Sequence, residues 1–172
     1  TEFFLSQLSQ QHVLIDPAKV SILHTQSIQK NNQLVQDINP STLFKSRKHA
    51  TEITHIRNAM TKDGVALSHF FYWLETALTQ NQPINELTID EKITAFRAEQ
   101  VGFIGLSFST IAGFNANGAL PHYRATKDSY SQIQGDGLLL IDSGAQYHDG
   151  TTDITRVIPI GTPSTEQKRD YT

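Results

Sequence analysis

At 172 residues, 38% of them hydrophobic and 18% charged, the chain is long enough for one domain with a sizeable core or for pieces of two, and its formal net charge of -3 gives no electrostatic case for nucleic acid or an anionic membrane. The absence of cysteine excludes disulfides, thiolate zinc sites and cysteine nucleophiles. No apolar run approaches the roughly 18 residues of a membrane span. "TEFFLSQLSQQ" lacks the basic n-region and apolar core of a secretory signal.

"HVLID" (His12 to Asp16) reads as a short strand, and Asp16-Pro17 as the cap and first residue of a helix running through Ile22 and Leu23 to about Gln29. "NNQLVQDINPS" reads as a turn, a short strand and a stop. Lys45, Arg47, Lys48 and His49 then form a basic cluster of the kind that usually faces water, and a domain boundary is expected here. Ile53, Ile56, Met60, Leu67, Phe71, Leu74 and Leu78 recur at helical spacing and predict one long amphipathic helix from Thr51 to Leu78, with Gly64 as its weak point. Phe70, Phe71, Tyr72 and Trp73 on it are read as core packing. "NQPINELTIDE" reads as a loop, and Thr88 with Glu91 as a capping box opening a second helix through Ile93 and Phe96. "GFIGLSFSTIAGFNANGALPHY" turns strand-like, and His122 stands out on it after a Gly-rich loop and a proline. Two strands follow, Leu138 to about Gln146 and Thr151 to about Ile160. "STEQKRDYT" opens a further helix that Ser164 or Thr165 caps. Starting on Thr and stopping inside a helix, the chain is expected to be a fragment of a longer polypeptide. Helices followed by antiparallel strands predict an α+β fold.

The last two strands carry the chemistry. Asp142 follows four apolar residues, Leu138 to Ile141, and a buried carboxylate is costly unless something pairs with it. Asp149-Gly150 is a hairpin turn signal, and Asp149 is read as a turn residue. With an even-numbered loop, Asp142 and Asp153 share a face, directly opposed or on a diagonal. Like charges so placed repel, and a divalent cation with a taste for hard oxygen donors removes the conflict. Two solvated aspartates near a loop are the other reading of the same spacing. There is no G-x-S-x-G elbow, no H-E-x-x-H and no phosphate loop after "GDG".

"LIDSGAQYHDGTTDITR" resembles the metal-binding hairpin of the Xaa-Pro aminopeptidases, pita-bread metallopeptidases related to prolidase and methionine aminopeptidase. "NANGALPHYRAT" is similar to the upstream segment of that family, and "SRKHATEITHIRNAMTKDGVAL" to the first helix of its catalytic domain. The resemblance covers residues 45–172. It implies the first half of a pita-bread catalytic domain there, preceded in residues 1–44 by the end of a creatinase-like α/β middle domain of the long, three-domain form. It further implies that Asp142 binds one metal of a dinuclear site and Asp153 bridges both. His122 then sits at the substrate as a hydrogen-bond donor to the tetrahedral intermediate. The metals implied are two divalent ions, manganese being usual and zinc or cobalt alternatives. The implied substrate is a peptide with proline in second position, and the implied enzyme is cytoplasmic and homodimeric at full length. Prolidase, another pita-bread peptidase or a metal-free pita-bread binding module are the alternatives. The family completes its site with one histidine and two glutamates downstream. After Asp153 this chain has no histidine, and its one glutamate is Glu166, so the segment alone is expected to be inactive. Val157 and Pro121 also depart from the residues usual at those places, without touching a ligand.

Overall fold

The structure is a computed structural model that describes residues 2–171, in two compact units that part between His49 and Ala50. In the first unit, α1 (Glu2–Gln7) precedes β1 (His12–Ile15), α2 (Ile22–Gln29), β2 (Gln33–Gln36) and α3 (Pro40–Ser46). β1 and β2 pair in parallel, His12 beside Gln33 and Ile15 beside Gln36. Asp16-Pro17 does not open a helix. The Asp16 carboxylate instead accepts the Ala18 N–H at 3.1 Å and the Asn39 N–H at 3.1 Å, a turn that ties the end of β1 to the start of α3. α2 begins five residues after Pro17, with Ser21 as its cap. Where a stop was expected after "DIN", Asn39 caps α3 by accepting the Ser41 N–H at 2.9 Å, and Pro40 takes the first turn.

The second unit is α+β, as predicted. α4 (Ala50–Thr79) and α5 (Glu86–Ala98) precede β3 (Phe103–Leu106), β4 (Ile111–Phe114) and a 3-10 turn at Asn115–Ala119. Then come β5 (Gly137–Ser143), β6 (Ala145–Tyr147), β7 (Gly150–Thr151), β8 (Ile154–Ile160) and α6 (Thr165–Tyr171). One antiparallel sheet has the order β4-β5-β8 and the other β3-β6-β7. β5 alternates buried and half-buried residues, so Leu139 and Ile141 point into the core while Leu138, Leu140 and Asp142 point away from it. Phe70 and Leu74 of α4 and Ile89 and Ile93 of α5 meet Leu139 and Ile141, all of them at 2% exposure or less. Full burial of each such side chain contributes about 2 kcal/mol, so this layer sets the sheet's orientation.

Several local expectations shift. The buried stripe of α4 is Ala59, Asp63, Ala66, Leu67, Phe70, Leu74 and Ala77, while Ile53, Ile56 and Met60 stay partly exposed at 39%, 38% and 41%. Small residues win the inner positions because the hairpin comes close: a Cβ on Gly150 would lie 3.2 Å from Cβ of Ala59. Phe70 is buried, with Phe71 and Trp73 packed against the core, as expected of the aromatic group, while Tyr72 faces out. α5 starts earlier than the Thr88–Glu91 spacing suggested. Asn85 is the cap and accepts the Thr88 N–H at 2.9 Å, so "ELTIDE" is helix and not loop. At the C-terminal end Ser164 and Gln167 form a reciprocal capping box, with Gln167 N–H donating to Ser164 Oγ at 3.1 Å and Ser164 N–H to Gln167 Oε1 at 2.8 Å.

Candidate metal centre

The two long strands of the sequence reading are each divided. Gly144 separates β5 from β6, and Thr152-Asp153 separate β7 from β8, so the hairpin leaves one sheet and enters the other. A single register nevertheless runs through it. Asp142 faces Thr155, Ser143 faces Ile154, Gln146 faces Thr151 and Tyr147 faces Gly150 across the two-residue turn His148-Asp149. Between the sheets the Thr152 N–H donates to the Ala145 carbonyl at 2.8 Å and keeps count. Continued through the gap, this register sets Gly144 opposite Asp153. Asp142 and Asp153 are therefore diagonal neighbours on one face, the diagonal option of the sequence reading. Gly144 cannot be replaced there, because a Cβ would collide with the Thr152 carbonyl oxygen and with Ser107 Oγ.

Asp142 is half-buried on the face of β5 turned away from α4 and α5, and its Oδ1 accepts the Thr155 hydroxyl at 2.9 Å. Asp153 is exposed, just before β8. Two carboxylates offer hard oxygen donors, the ligands that manganese, magnesium and calcium take. Among the described residues no third histidine, aspartate or glutamate joins them to make a metal-binding group. The chemistry of these two carboxylates fits a hard divalent ion, of whose coordination they would supply only a part.

His122 lies elsewhere than predicted. It occupies an exposed turn after the 3-10 segment, not a strand, and its φ of 56° is in the left-handed region. The strand ends at Phe114 because the chain must turn at once. A Cβ on Gly113 would lie 2.7 Å from Gly118 Cα, so the 3-10 turn folds directly back on β4. His122 forms no metal-binding group with Asp142 and Asp153.

Three buried or bridging polar groups were not singled out in the sequence. Asp63 and Arg97 form an ion pair with both side chains at 0% exposure, 2.8 Å from Arg97 Nε to Asp63 Oδ1 and 3.0 Å from Nη2 to Oδ2. Arg97 Nη2 also donates to the Ser143 carbonyl at 3.3 Å, next to Asp142, and the Tyr147 hydroxyl donates to Asp63 Oδ1 at 3.0 Å. Burial, then Asp63, pushes the Tyr147 phenol well above its ordinary value. Lys62 of α4 reaches both oxygens of Asp149 at 2.9 Å, so the turn residue also clamps the hairpin to the helix. That ammonium holds the Asp149 carboxyl below the usual 3.8. Glu86, fully buried at the start of α5, accepts from the Phe114 N–H, Asn117, Tyr123 and the Ser131 N–H. Burial, then Glu86, raises the Tyr123 phenol to about 12. One signal for these groups was available. Asp63 falls in the buried stripe of α4, and Glu86 and Arg97 share a face of α5 with Ile89 and Ile93. Charges at such positions need partners.

The family model of the metallopeptidase family M24 matches residues 54–172. Xaa-Pro aminopeptidase 1 of Dictyostelium discoideum is 39% identical over 164 residues, covering 93% of this chain and 26% of that protein. Aminopeptidase P2 of Arabidopsis thaliana is 40% identical over 133 residues, covering 77% of this chain and 19% of that protein. Among solved structures, X-prolyl aminopeptidase from Caenorhabditis elegans, described as a cytosolic enzyme with a di-nuclear active site, superposes with a TM-score of 0.73. It is 25% identical, covering 90% of this chain and 33% of that one. The chain thus spans about a quarter or less of the two relatives it matches by sequence. A pita-bread fold, an Asp142–Asp153 hairpin and a family match through most of the second unit agree: the chain belongs to the metallopeptidase family M24.

Proposed function

We propose that the protein carrying this chain is a metal-dependent Xaa-Pro aminopeptidase that releases the N-terminal residue from peptides with proline in second position. The observation that supports this is the common register of the two hairpin pairings, which, continued across the gap at Gly144, sets Asp142 and Asp153 diagonally on one face. In this reading Asp142 and Asp153 would hold the ions, Asp142 one of them and Asp153 both, with one histidine and two glutamates from elsewhere in the protein completing the set. Bound there, a pair of divalent ions, manganese first among them, would supply a nucleophilic water at neutral pH and Lewis-acid polarisation of the scissile carbonyl. Thr155 holds Asp142 in its rotamer. His122, exposed at the turn, donates a hydrogen bond to the oxygen on which charge develops. Proline's fixed φ and missing N–H give such an enzyme a substrate that general peptidases handle poorly. The first unit is the end of a non-catalytic middle domain. The working enzyme is a homodimer in the cytoplasm, the latter in keeping with the cytosolic C. elegans protein.

The test is cleavage by the full-length protein, stripped of metal and reloaded with manganese. Xaa-Pro-Xaa peptides are expected to be cut, and the same peptides with alanine in second position spared. Preference for Xaa-Pro dipeptides would make it a prolidase instead, and no manganese-dependent cleavage of either would overturn the reading. Asp142→Asn and Asp153→Asn are each expected to lower kcat/KM by more than roughly a hundredfold, the upper end for groups that merely support a ligand. The folded state should persist, since both side chains stand off the core.

A further inference from the structure

We infer that Glu86 is a positioning residue for His122, fixing through Asn117 and Tyr123 the segment that presents the imidazole; the inference rests on the proposed aminopeptidase reading for what His122 does. Glu86 is fully buried at the first position of α5. Its Oε1 accepts the Phe114 N–H at 2.7 Å and lies 3.0 Å from Asn117 Nδ2. Its Oε2 accepts the Tyr123 hydroxyl at 2.7 Å and the Ser131 N–H at 2.7 Å, and lies 3.1 Å from Asn117 Nδ2. Asn117 Nδ2 is also 3.0 Å from the Tyr123 hydroxyl and 2.9 Å from Ser131 Oγ.

These partners have one thing in common: they bracket His122. Phe114 ends the strand before it, Asn117 lies in the 3-10 turn, Tyr123 is its neighbour, and Ser131 is where the loop returns to the core. A carboxylate is an unusual choice for packing, since an apolar side chain of the same size avoids the desolvation that buried charge incurs. What it adds is direction. Hydrogen bonds to an ionised acceptor are stronger than neutral ones, and here four separate points of one loop converge on a single pair of oxygens. His122 needs that restraint. A non-glycine residue holds a φ of 56° when its surroundings over-determine it. The adjoining constraints are the Tyr123 N–H, which donates to the Leu120 carbonyl at 3.1 Å, and the Tyr123 hydroxyl on Glu86. The residue after His122 is tied down while His122 itself is exposed, the arrangement a substrate-facing donor requires.

The experiment is a double-mutant cycle in the full-length, manganese-loaded protein, pairing Tyr123→Phe or Glu86→Gln with His122→Ala. Tyr123→Phe removes one hydroxyl from the hub and is the milder change if Glu86→Gln impairs folding. Alone, Tyr123→Phe is expected to lower kcat roughly five- to tenfold, the loss of one well-placed hydrogen bond, with manganese affinity unchanged. His122→Ala is expected to cost roughly a hundredfold, as removal of an oxyanion donor does. In the His122→Ala background Tyr123→Phe should have less than about a twofold effect, because residues acting through one another do not add. Equal losses in both backgrounds would show that Glu86 and Tyr123 only support the fold, and would overturn the inference. If the wild type cleaves no Xaa-Pro peptide, the aminopeptidase reading falls by itself. The link is then judged on the His122 NMR resonances, assigned by their loss in His122→Ala: a shift in Tyr123→Phe upholds it and unmoved resonances overturn it.

Discussion

Asp142 shows what one residue's register decides. One step along β5 are Ile141 and Ser143, both buried against the helices, where an unpaired carboxylate would destabilise the fold. At its own position it is half-buried and accepts the Thr155 hydroxyl. Thr155→Val should keep the shape and remove that hydrogen bond, lowering manganese affinity of the full-length protein roughly tenfold by calorimetric titration. Asp149 acts in the opposite direction, on stability. Lys62 lowers its pKa in the fold, so the stabilisation is full above the ordinary 3.8 and is lost as pH falls through the lower folded value. The gap in melting temperature between wild type and Lys62→Met is therefore expected to be widest near neutral pH and to narrow in acid. A remnant should persist from the lost contact of Lys62 with the Tyr147 ring, 5.6 Å from its centre. That Asp142 and Asp153 share a face was legible in the sequence because a hairpin is local and its parity can be counted, whereas a ligand role for them was implied only by the resemblance. The Glu86 hub was not, because its partners lie 28 to 45 residues away and only the folded chain brings them together.

Among the elements, α4 was legible to within one residue at each end, and its buried face in the second half, where Leu67 and Leu74 are buried and Phe71 and Leu78 pack against the core, but not in the first half. In that first half, counting large apolar residues favoured Ile53, Ile56 and Met60, whereas the buried positions are Ala59 and Asp63, where Gly150 and Tyr147 of the hairpin come close. Close approach selects small side chains, and hydrophobicity alone does not register that. Gly64 tests the same helix from outside. Nothing lies within 4 Å of where its Cβ would be, so Gly64→Ala should gain the helix propensity that glycine forgoes. Its expected effect is a stabilisation of about 0.5–1 kcal/mol, read as a higher denaturant midpoint with unchanged slope. α5 was misjudged at its start because Thr88 and Glu91 mimic a box that Asn85 had already made unnecessary. Asn caps as well as Ser or Thr, and two candidates three residues apart cannot be ranked without the backbone angles.

For the whole molecule, the α+β order of the second unit followed from the change of period along the sequence, helical before Ala98 and alternating after Phe103. The division of the continuous strands between two sheets did not, since a bend at Gly144 leaves the alternation intact. The parting of the chain between His49 and Ala50 makes a further prediction. Arg47 and Lys48 are exposed in the short stretch between α3 and α4, so brief trypsin treatment should cut after one of them first. Mass spectrometry would then find the second unit whole; earlier cuts inside α4 or α5 would contradict this arrangement.

The crossing of the hairpin between sheets also governs which changes of length the chain tolerates. Residues added or removed at His148-Asp149 alter the turn and leave the pairing beyond it intact. One residue inserted between Asp142 and Tyr147 would turn every side chain on one side of it to the opposite face. Either Asp142 would enter the helix layer, or Tyr147 would leave Asp63 and Arg97. Changes of length are thus tolerated at the tip, and the face that the two aspartates share is held by the buried Tyr147.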